Sequence, residues 1–507
     1  MASTFAVTRN HLVFGLCLPL AVLMGYLLAE PSESVSMVVL VMVLSVLTVP
    51  MLMRWYHPLL VFTWNAVIQL NFLPGSPRIW LALSFVAVLF GVINRSVNPE
   101  SRFLNVQSIT RPLLAMLAVF VVTAFVRGGL GMRVLGSGAY GGKAYLLAVG
   151  AIVGYFGLTS RAIPLRRAAL YSGLFFLLGL TALISNLIYF GGSNFYFLFQ
   201  FFPVELALDQ AMAELSFTPE YARMGSMLTA GMAAFSFLLS RYGADGLFAF
   251  GKPWRMALFI VTIVASGFAG YRSLAVLMGL SFFIMFFVQK LWRTRILLIM
   301  ACVCALTAAG IVGFSRQLPL PVQRALSFLP LIEIDPLTRV TADNSNEWRL
   351  EMWKAALPLV PQYLFMGKGY VISPDELFMA QQSAQMGNTA SWEGALLAGD
   401  YHNGPLSLII PFGIYGVIVF AWFAVASIRL LHQYYTNGPP ELRRINAFLL
   451  SLFVARILFF VFIFGSFHAE LYYFTGLIGL AVALNASAPN DVSNANTDEF
   501  DSNEPMR

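Results

Sequence analysis

From His11 to Asn485 the chain returns repeatedly to apolar stretches of about 16 to 22 residues, the length at which a helix crosses a bilayer. In hydrocarbon every backbone N–H and C=O must be satisfied within the segment, so such stretches span as helices. About fourteen can be marked, at roughly 11–29, 35–53, 58–73, 79–94, 111–126, 144–159, 169–190, 225–240, 256–271, 273–289, 296–314, 404–428, 446–464 and 470–485. The third is the weakest, because Asn65, Gln69 and Asn71 interrupt it. Composition agrees: 59% of residues are hydrophobic and 11% charged, where a soluble chain is nearer a quarter charged. The expected fold is an all-α polytopic membrane protein of about 12–14 transmembrane helices. The first run lacks an A-x-A cleavage pattern and reads as an uncleaved span, not a signal peptide.

The formal net charge of +7 does not imply nucleic acid, since the basic residues form no block or stripe. They fall instead on alternate short loops, among them Arg54, the group Arg161, Arg166 and Arg167, the group Lys290, Arg293 and Arg295, and the pair Arg443 and Arg444. The positive-inside rule then makes both termini cytoplasmic. Three cysteines, Cys17, Cys302 and Cys304, sit inside apolar runs and support neither a disulfide framework nor a zinc site. The organisation expected is N-terminal spans over 1–190, a region 191–430 holding the long outer loops, C-terminal spans over 431–485, and a polar, disordered cytoplasmic tail over 486–507.

Two outer segments are long, about 191–224 and about 315–403, and loops of the second size usually carry function. Within it "SPDELFMAQQSAQMG" predicts a helix with Ser373 as N-cap, Pro374 first in the helix, Glu376 completing a capping box and Gly387 as stop. "NSNEWRLEMWKAALPL" predicts a second. Both suit amphipathic helices lying along the membrane face.

On this topology the polar residues of interest gather at the outer face. His402 and Asn403, in "GDYHNGPLSLIIPFGIYG", precede a span; the pair reads either as a helix start or as a reactive group at the membrane rim. Arg223 and Arg272 stand against apolar helix ends on the side that disfavours positive charge. For Arg272 the readings are a snorkelling side chain or an anion clamp whose planar fork pairs two phosphate oxygens. Arg223 has the same choice, since Glu205, Asp209, Glu214 and Glu220 are available to pair with it. Arg456 falls inside a span, where charges are usually paired, and reads as structural or substrate-facing. His468 is a further outer-face histidine. The glycines over 126–142 match no phosphate loop with its lysine.

At His402, Asn403, Leu406, Gly413 and Gly416 the sequence resembles the O-antigen ligase and polymerase superfamily of bacterial envelope glycan assembly, in which such a pattern opens the helix after a large periplasmic loop. Upstream, Arg349, Trp353, Pro361, Gly367 and Gly369 resemble the family's R-x3-W, P and G-x-G segment, and Arg272 and Arg223 resemble its two arginines at span ends. The resemblance covers roughly 220–430. Two departures stand out: Gly404-Pro405 after the His-Asn pair, and Tyr271 and Ser273 flanking Arg272.

The resemblance implies a GT-C-like membrane glycosyltransferase, with region 191–430 catalytic. It implies an undecaprenyl-diphosphate-linked glycan as donor, a saccharide or lipid-linked acceptor, and an active site on the periplasmic side of the bacterial inner membrane. His402 is then the catalytic base, and Arg272 and Arg223 bind the diphosphate. Asn403, Arg349, Tyr401, His468 and Arg456 are supporting residues. Neither a metal nor another cofactor is called for. Surrounding lipids and the two glycans are the expected partners. Ligase and polymerase share these motifs; the number of spans leans toward the polymerase or exopolysaccharide branch. A polysaccharide or lipid-linked-glycan flippase is the alternative, and it would place polar groups near the bilayer midplane.

Overall fold

A chain this apolar satisfies its backbone by coiling, and among the described residues no strand forms beyond two isolated bridges. The structure, a computed structural model, describes residues 22, 25, 34–71, 73, 75–97, 103–131, 140–215, 222–249, 251–329, 331–385 and 392–486. The expected first span apart from 22 and 25, with Cys17, and also Glu220, Gly387 and the tail beyond 486 lie outside them.

Two compact units divide the chain, Met1–His57 and Pro58–Arg507. Helix α1 (Ser34–Thr63) begins in the first, where Val49, Met51, Met53 and Trp55 are exposed. In the second follow α2 (Ile79–Val97), α3 (Gln107–Arg127), α4 (Gly142–Leu158), α5 (Ala168–Leu177), α6 (Leu183–Gly191), α7 (Glu205–Leu215) and α8 (Ser226–Leu247). Next come α9 (Pro253–Gly267), α10 (Arg272–Val288) and α11 (Ile296–Gly313). The large loop carries α12 (Leu320–Ala325), α13 (Pro336–Ala356), α14 (Leu359–Tyr363), α15 (Pro374–Gln385) and α16 (Glu393–Leu397). The bundle closes with α17 (Gly404–Asn437), α18 (Arg443–Phe462) and α19 (Phe467–Asn485). Among the described residues, seven helices are long and apolar enough to cross a membrane, and α4, α9 and α10 are shorter apolar helices. The protein is an all-α, multi-pass membrane protein.

The third expected span does not form. Helix α1 ends at Thr63, and residues 64–71 form an irregular connection held by the protein itself. Asn65 donates to the Phe175 carbonyl at 2.8 Å, the Val67 N–H donates to the Thr181 hydroxyl at 2.9 Å, and Gln69 and Arg78 form an isolated bridge. Buried non-helical backbone is tolerated at such a place because it is covered by protein and not by lipid.

Small residues set the close approaches of the bundle, as is usual where lipid removes the hydrophobic drive between helices. Helix α4 packs between α2 and α19. A Cβ at Gly476 would fall on the indole of Trp64, whose N–H donates to the Tyr472 carbonyl at 3.2 Å. Helix α17 packs on α3 and α18, and α10 packs on α18.

One attachment of the large loop to this bundle lies at a break in α17. Helix α17 is broken at Gly413, where φ is 64°. The carbonyls that the break releases, those of Ile410 and Pro411, accept the N–H groups of Lys368 and Gly369 at 2.7 and 2.9 Å. The Ile414 N–H in turn donates to the Leu364 carbonyl at 2.7 Å. Gly367 and Gly369 also have positive φ, and a Cβ at Gly367 would collide with the Pro411 carbonyl. The glycines shared with the family pattern therefore act as a backbone interlock between loop and helix. Arg127 adds a hydrogen bond to the Gly367 carbonyl at 2.9 Å.

The capping box before α15 forms as read. The Ser373 hydroxyl accepts the Glu376 N–H at 3.1 Å, and the Glu376 carboxylate accepts the Ser373 N–H at 2.9 Å. Helix α13 contains the second expected helix but starts earlier, at Pro336, where Asp335 caps it by accepting the Thr338 N–H at 3.0 Å.

Candidate active site

Helix α13 is the shelf on which the site assembles. Its carbonyls and short polar side chains receive two guanidinium groups from elsewhere in the chain. Arg272, first residue of α10, donates to the Ala342 carbonyl at 3.1 Å and to the Asn346 side chain at 2.9 Å. Arg324, in α12, donates to the Ser345 hydroxyl at 3.0 Å and more weakly to the Thr341 carbonyl at 3.4 Å. One turn further along, Arg349 lies against the Phe464 ring at 5.8 Å. Residues 341 to 349 cover about 12 Å of helix at about 1.5 Å per residue.

These charges feel one another. Burial first, then the positive charges of Arg223 and Arg272, bring the Arg324 guanidinium down to about 10, still protonated at neutral pH. Burial and Arg272 likewise lower Arg349. Arg223 is the member with an ion-pair partner: it meets Asp209 at 3.0 Å and lies over the Tyr271 ring at 5.0 Å. Of the two readings open for Arg223, the acidic partner is thus realised, from α7. Arg272 instead is held by neutral acceptors, which keep its position while leaving its charge uncancelled.

His402 stands at the other end of the shelf. Its ring meets Trp348 of α13 edge-on at 5.1 Å and Phe464 at 4.9 Å. The same Phe464 touches Arg349, so imidazole and guanidinium share a wall. His402 has a φ of 49°, a left-handed conformation uncommon for a non-glycine residue and of the kind that clusters at functional sites. Burial, followed by the opposing effect of Asp400 and a further lowering by Arg349, sets the imidazole below its ordinary value of 6.5. At neutral pH it is unprotonated.

Asn403 is the N-cap of α17, and its side chain accepts the Leu406 N–H at 3.0 Å. The helix-start reading of the pair is thus met by Asn403. Ser407, not anticipated from sequence, ties two helix starts together: its hydroxyl donates to Gly404 at 2.7 Å and accepts the Phe467 N–H at 3.0 Å. This brings Phe464, just ahead of α19, beside His402. Tyr401 turns inward to a buried apolar cluster with Ala356, Leu406 and Ile410, and its carbonyl accepts the Trp353 indole N–H at 2.8 Å.

The remaining two supporting candidates belong to the bundle side. His468 meets the Tyr370 ring at 5.3 Å, and its Nδ1 is buried with no hydrogen-bond partner. Arg456 pairs with Glu470 at 3.3 Å and lies over the Tyr473 ring at 3.8 Å. A cavity of about 150 Å³ is lined by Arg456, Glu470, Tyr473, Trp64, Ser273 and Phe464 among others, so Phe464 separates it from His402. Among the described residues no group of three His, Cys, Asp or Glu is placed to hold a metal.

Arg272, Arg324, Arg349, the imidazole and the interlocked glycines thus lie on one helix shelf and its attachment to the bundle. Residues 254–421 match the O-antigen ligase family model. The match takes in Arg272, Arg324, all of α13, the G-x-G at Gly367 and Gly369, and His402 with the broken first half of α17. Over this stretch the chain is similar to the O-antigen ligases. Arg223 precedes the matched stretch, and its place beside the others comes from the fold alone. No curated protein matches the chain.

Arg324, like Ser407, lies in the matched stretch and was not singled out from the sequence. Its signal was present, a lone arginine in a short helix of the long loop, but nothing in one dimension relates it to Arg272.

Proposed function

We propose that the protein is a polyprenyl-diphosphate-dependent glycosyltransferase of the O-antigen polymerase or ligase kind, working at the periplasmic face of the bacterial inner membrane. The observation that carries this reading is the shelf of α13, which holds Arg272, Arg324 and Arg349 close to an imidazole kept neutral by burial. Both halves of the chemistry need one of these groups. A diphosphate carries its charge on several oxygens, and guanidinium forks match them. A saccharide hydroxyl needs somewhere to send its proton, and an unprotonated histidine is suited to receive it.

In the reaction proposed, the acceptor hydroxyl oxygen bonds to the anomeric carbon as its proton passes to His402. The bond from that carbon to the phosphate oxygen breaks, and its electron pair leaves with the diphosphate. Arg272 and Arg324 stabilise the charge gathering on the leaving group, a preorganised electrostatic role that asks for no metal, while Arg223, held by Asp209, supports them from beside Arg324. Attack opposite the leaving group inverts the anomeric carbon.

The transport alternative has one observation behind it, the cavity beside Arg456 within the bundle. Its two charged residues, Arg456 and Glu470, pair with each other, and the enzyme reading takes precedence because the family match and the arginine shelf coincide in the same segment. The test is transfer by full-length protein in proteoliposomes, given an undecaprenyl-diphosphate-linked glycan and an acceptor drawn from the same source membranes. His402→Ala is expected to lower kcat by about 10²- to 10⁴-fold. Transfer at the wild-type rate would remove the base assignment. Whether product accumulates as lengthening lipid-linked chain or as capped acceptor distinguishes polymerase from ligase.

A further inference from the structure

Between Gly399 and Gly404 the chain makes a turn that the enzyme reading leaves partly unexplained. His402 takes a left-handed conformation, and its backbone N–H donates to Asp400 Oδ1 at 3.4 Å. The same carboxylate oxygen lies 3.7 Å from His402 Nδ1. That separation is about 0.8 Å longer than a hydrogen bond, yet Nδ1 is buried and has no other partner. Trp348 and Phe464 pack edge-on against the ring, at 5.1 and 4.9 Å, and so restrict where it can turn. A buried ring nitrogen without a partner is unfavourable, and Asp400 is an acceptor within reach to relieve it. Catalytic hydrogen bonds are commonly long before substrate is bound and tighten afterwards.

We propose that Asp400 is the positioning residue of His402: its carboxylate accepts the Nδ1–H of the imidazole, which leaves the second ring nitrogen unprotonated for the acceptor hydroxyl. The left-handed turn is what makes this possible, because it folds the side chains at i and i+2 toward one another. Asp400 does not touch the reacting atoms; it sets the tautomer and orientation of the residue that does, and it stabilises the imidazolium formed when the proton arrives. The neighbouring charges are Arg349, facing His402 from α13, and His468 and Glu470 of α19, on which Asp400 also acts. The proposal rests on the reading of His402 as base.

Asn at position 400 separates this role from a merely structural one, since an amide oxygen still accepts the His402 N–H while the charge is gone. Histidine-selective NMR of the full chain in nanodiscs, with His402→Gln to identify the signal among five histidines, reads the ring directly and needs no substrate. Asp400→Asn is expected to change the neutral tautomer and to move the His402 titration to lower pH, because the carboxylate opposes the lowering by burial and Arg349. In the transfer assay the same variant should lower kcat by roughly tenfold to a hundredfold with KM little changed. The sign for the pH profile follows. Protonated His402 is inactive, so wild-type activity is lost as pH falls through a value below 6.5, and in Asp400→Asn that loss comes at still lower pH. An unchanged titration, tautomer and kcat in Asp400→Asn would reduce Asp400 to a turn-former. If His402→Ala keeps full transfer, the base reading itself is gone, an outcome distinct from the former.

Discussion

Arg272 and Arg456 are both arginines set against apolar helices, and the protein satisfies them in opposite ways. Arg456, inside α18, has a carboxylate at 3.3 Å and an aromatic ring at 3.8 Å. Arg272, at the N-terminal end of α10, has a carbonyl and an amide oxygen, neither of which cancels its charge. Its neighbours Arg324 and Arg349 repel it, and Asp209 in the group is engaged with Arg223. A charge that is paired within the protein reads as structure, because nothing remains to attract a ligand. A set of like charges held together by neutral acceptors stores repulsion, which on the proposed reading the donor's diphosphate relieves. The comparison sorts the arginines by what surrounds them, which their positions along the chain do not reveal.

The largest effect that sharpens this contrast is on stability. Glu470→Gln leaves Arg456 buried without its counter-charge, and breaking a buried pair from one side costs roughly 3–5 kcal/mol. The expected outcome is a marked fall in the thermal midpoint of the full chain in detergent, with transfer lost only in proportion to the folded fraction. A variant that keeps its midpoint but loses transfer would place Glu470 in the reaction and undo the assignment of this pair to structure.

Next in size is a matched pair of conservative changes. Arg272→Lys keeps the charge but loses the fork, and transfer should fall roughly tenfold to a hundredfold. Arg456→Lys keeps the charge opposite Glu470, and transfer should stay within about twofold. Steady-state kinetics on both variants in the same vesicles decides between these outcomes. Equal losses would erase the distinction between the two arginines, and full activity in Arg272→Lys would remove bidentate recognition of phosphate.

The same contrast explains what could be read in advance. Long apolar runs announce membrane helices because length and hydropathy are local properties. The capping box at Ser373 and Glu376 was equally local and forms as expected. Residues 58–73 misled for a physical reason: an apolar run that is buried by protein looks like one buried by lipid, and only the hydrogen bonds of Asn65 and Val67 across the bundle tell them apart. The start of α13 was missed because "PLTRVTADNSNE" is mostly polar and its few apolar residues make no long stripe; its cap, Asp335, precedes a proline that reads equally as a turn. Arg324 and Asp400 were in plain view, but their significance depends on a shelf shared with Arg272 and on a left-handed histidine, neither of which is encoded by nearby residue types.

The smallest expected effect concerns Asn403, and it tests whether the His-Asn pair is one functional unit or two. The Asn403 side chain accepts the Leu406 N–H at 3.0 Å and so begins α17, while His402 faces the shelf. Asn403→Ala removes the cap and should cost about 1 kcal/mol of stability. Asn403→Asp restores the acceptor and should recover it, since carboxylate and amide oxygens cap equally well and a negative charge suits a helix N-terminus. If capping is all that Asn403 does, kcat follows stability across the three proteins: lowered modestly in the alanine variant and restored by aspartate. If Asp restores the thermal midpoint but not kcat, the amide has a contact with substrate that a carboxylate cannot make, and the pair is a single unit. The aspartate would also stand next to His402 and raise its titration, so the acid limb must be measured alongside: a loss of kcat confined to low pH reports that added charge, and a loss at all pH values reports the missing amide.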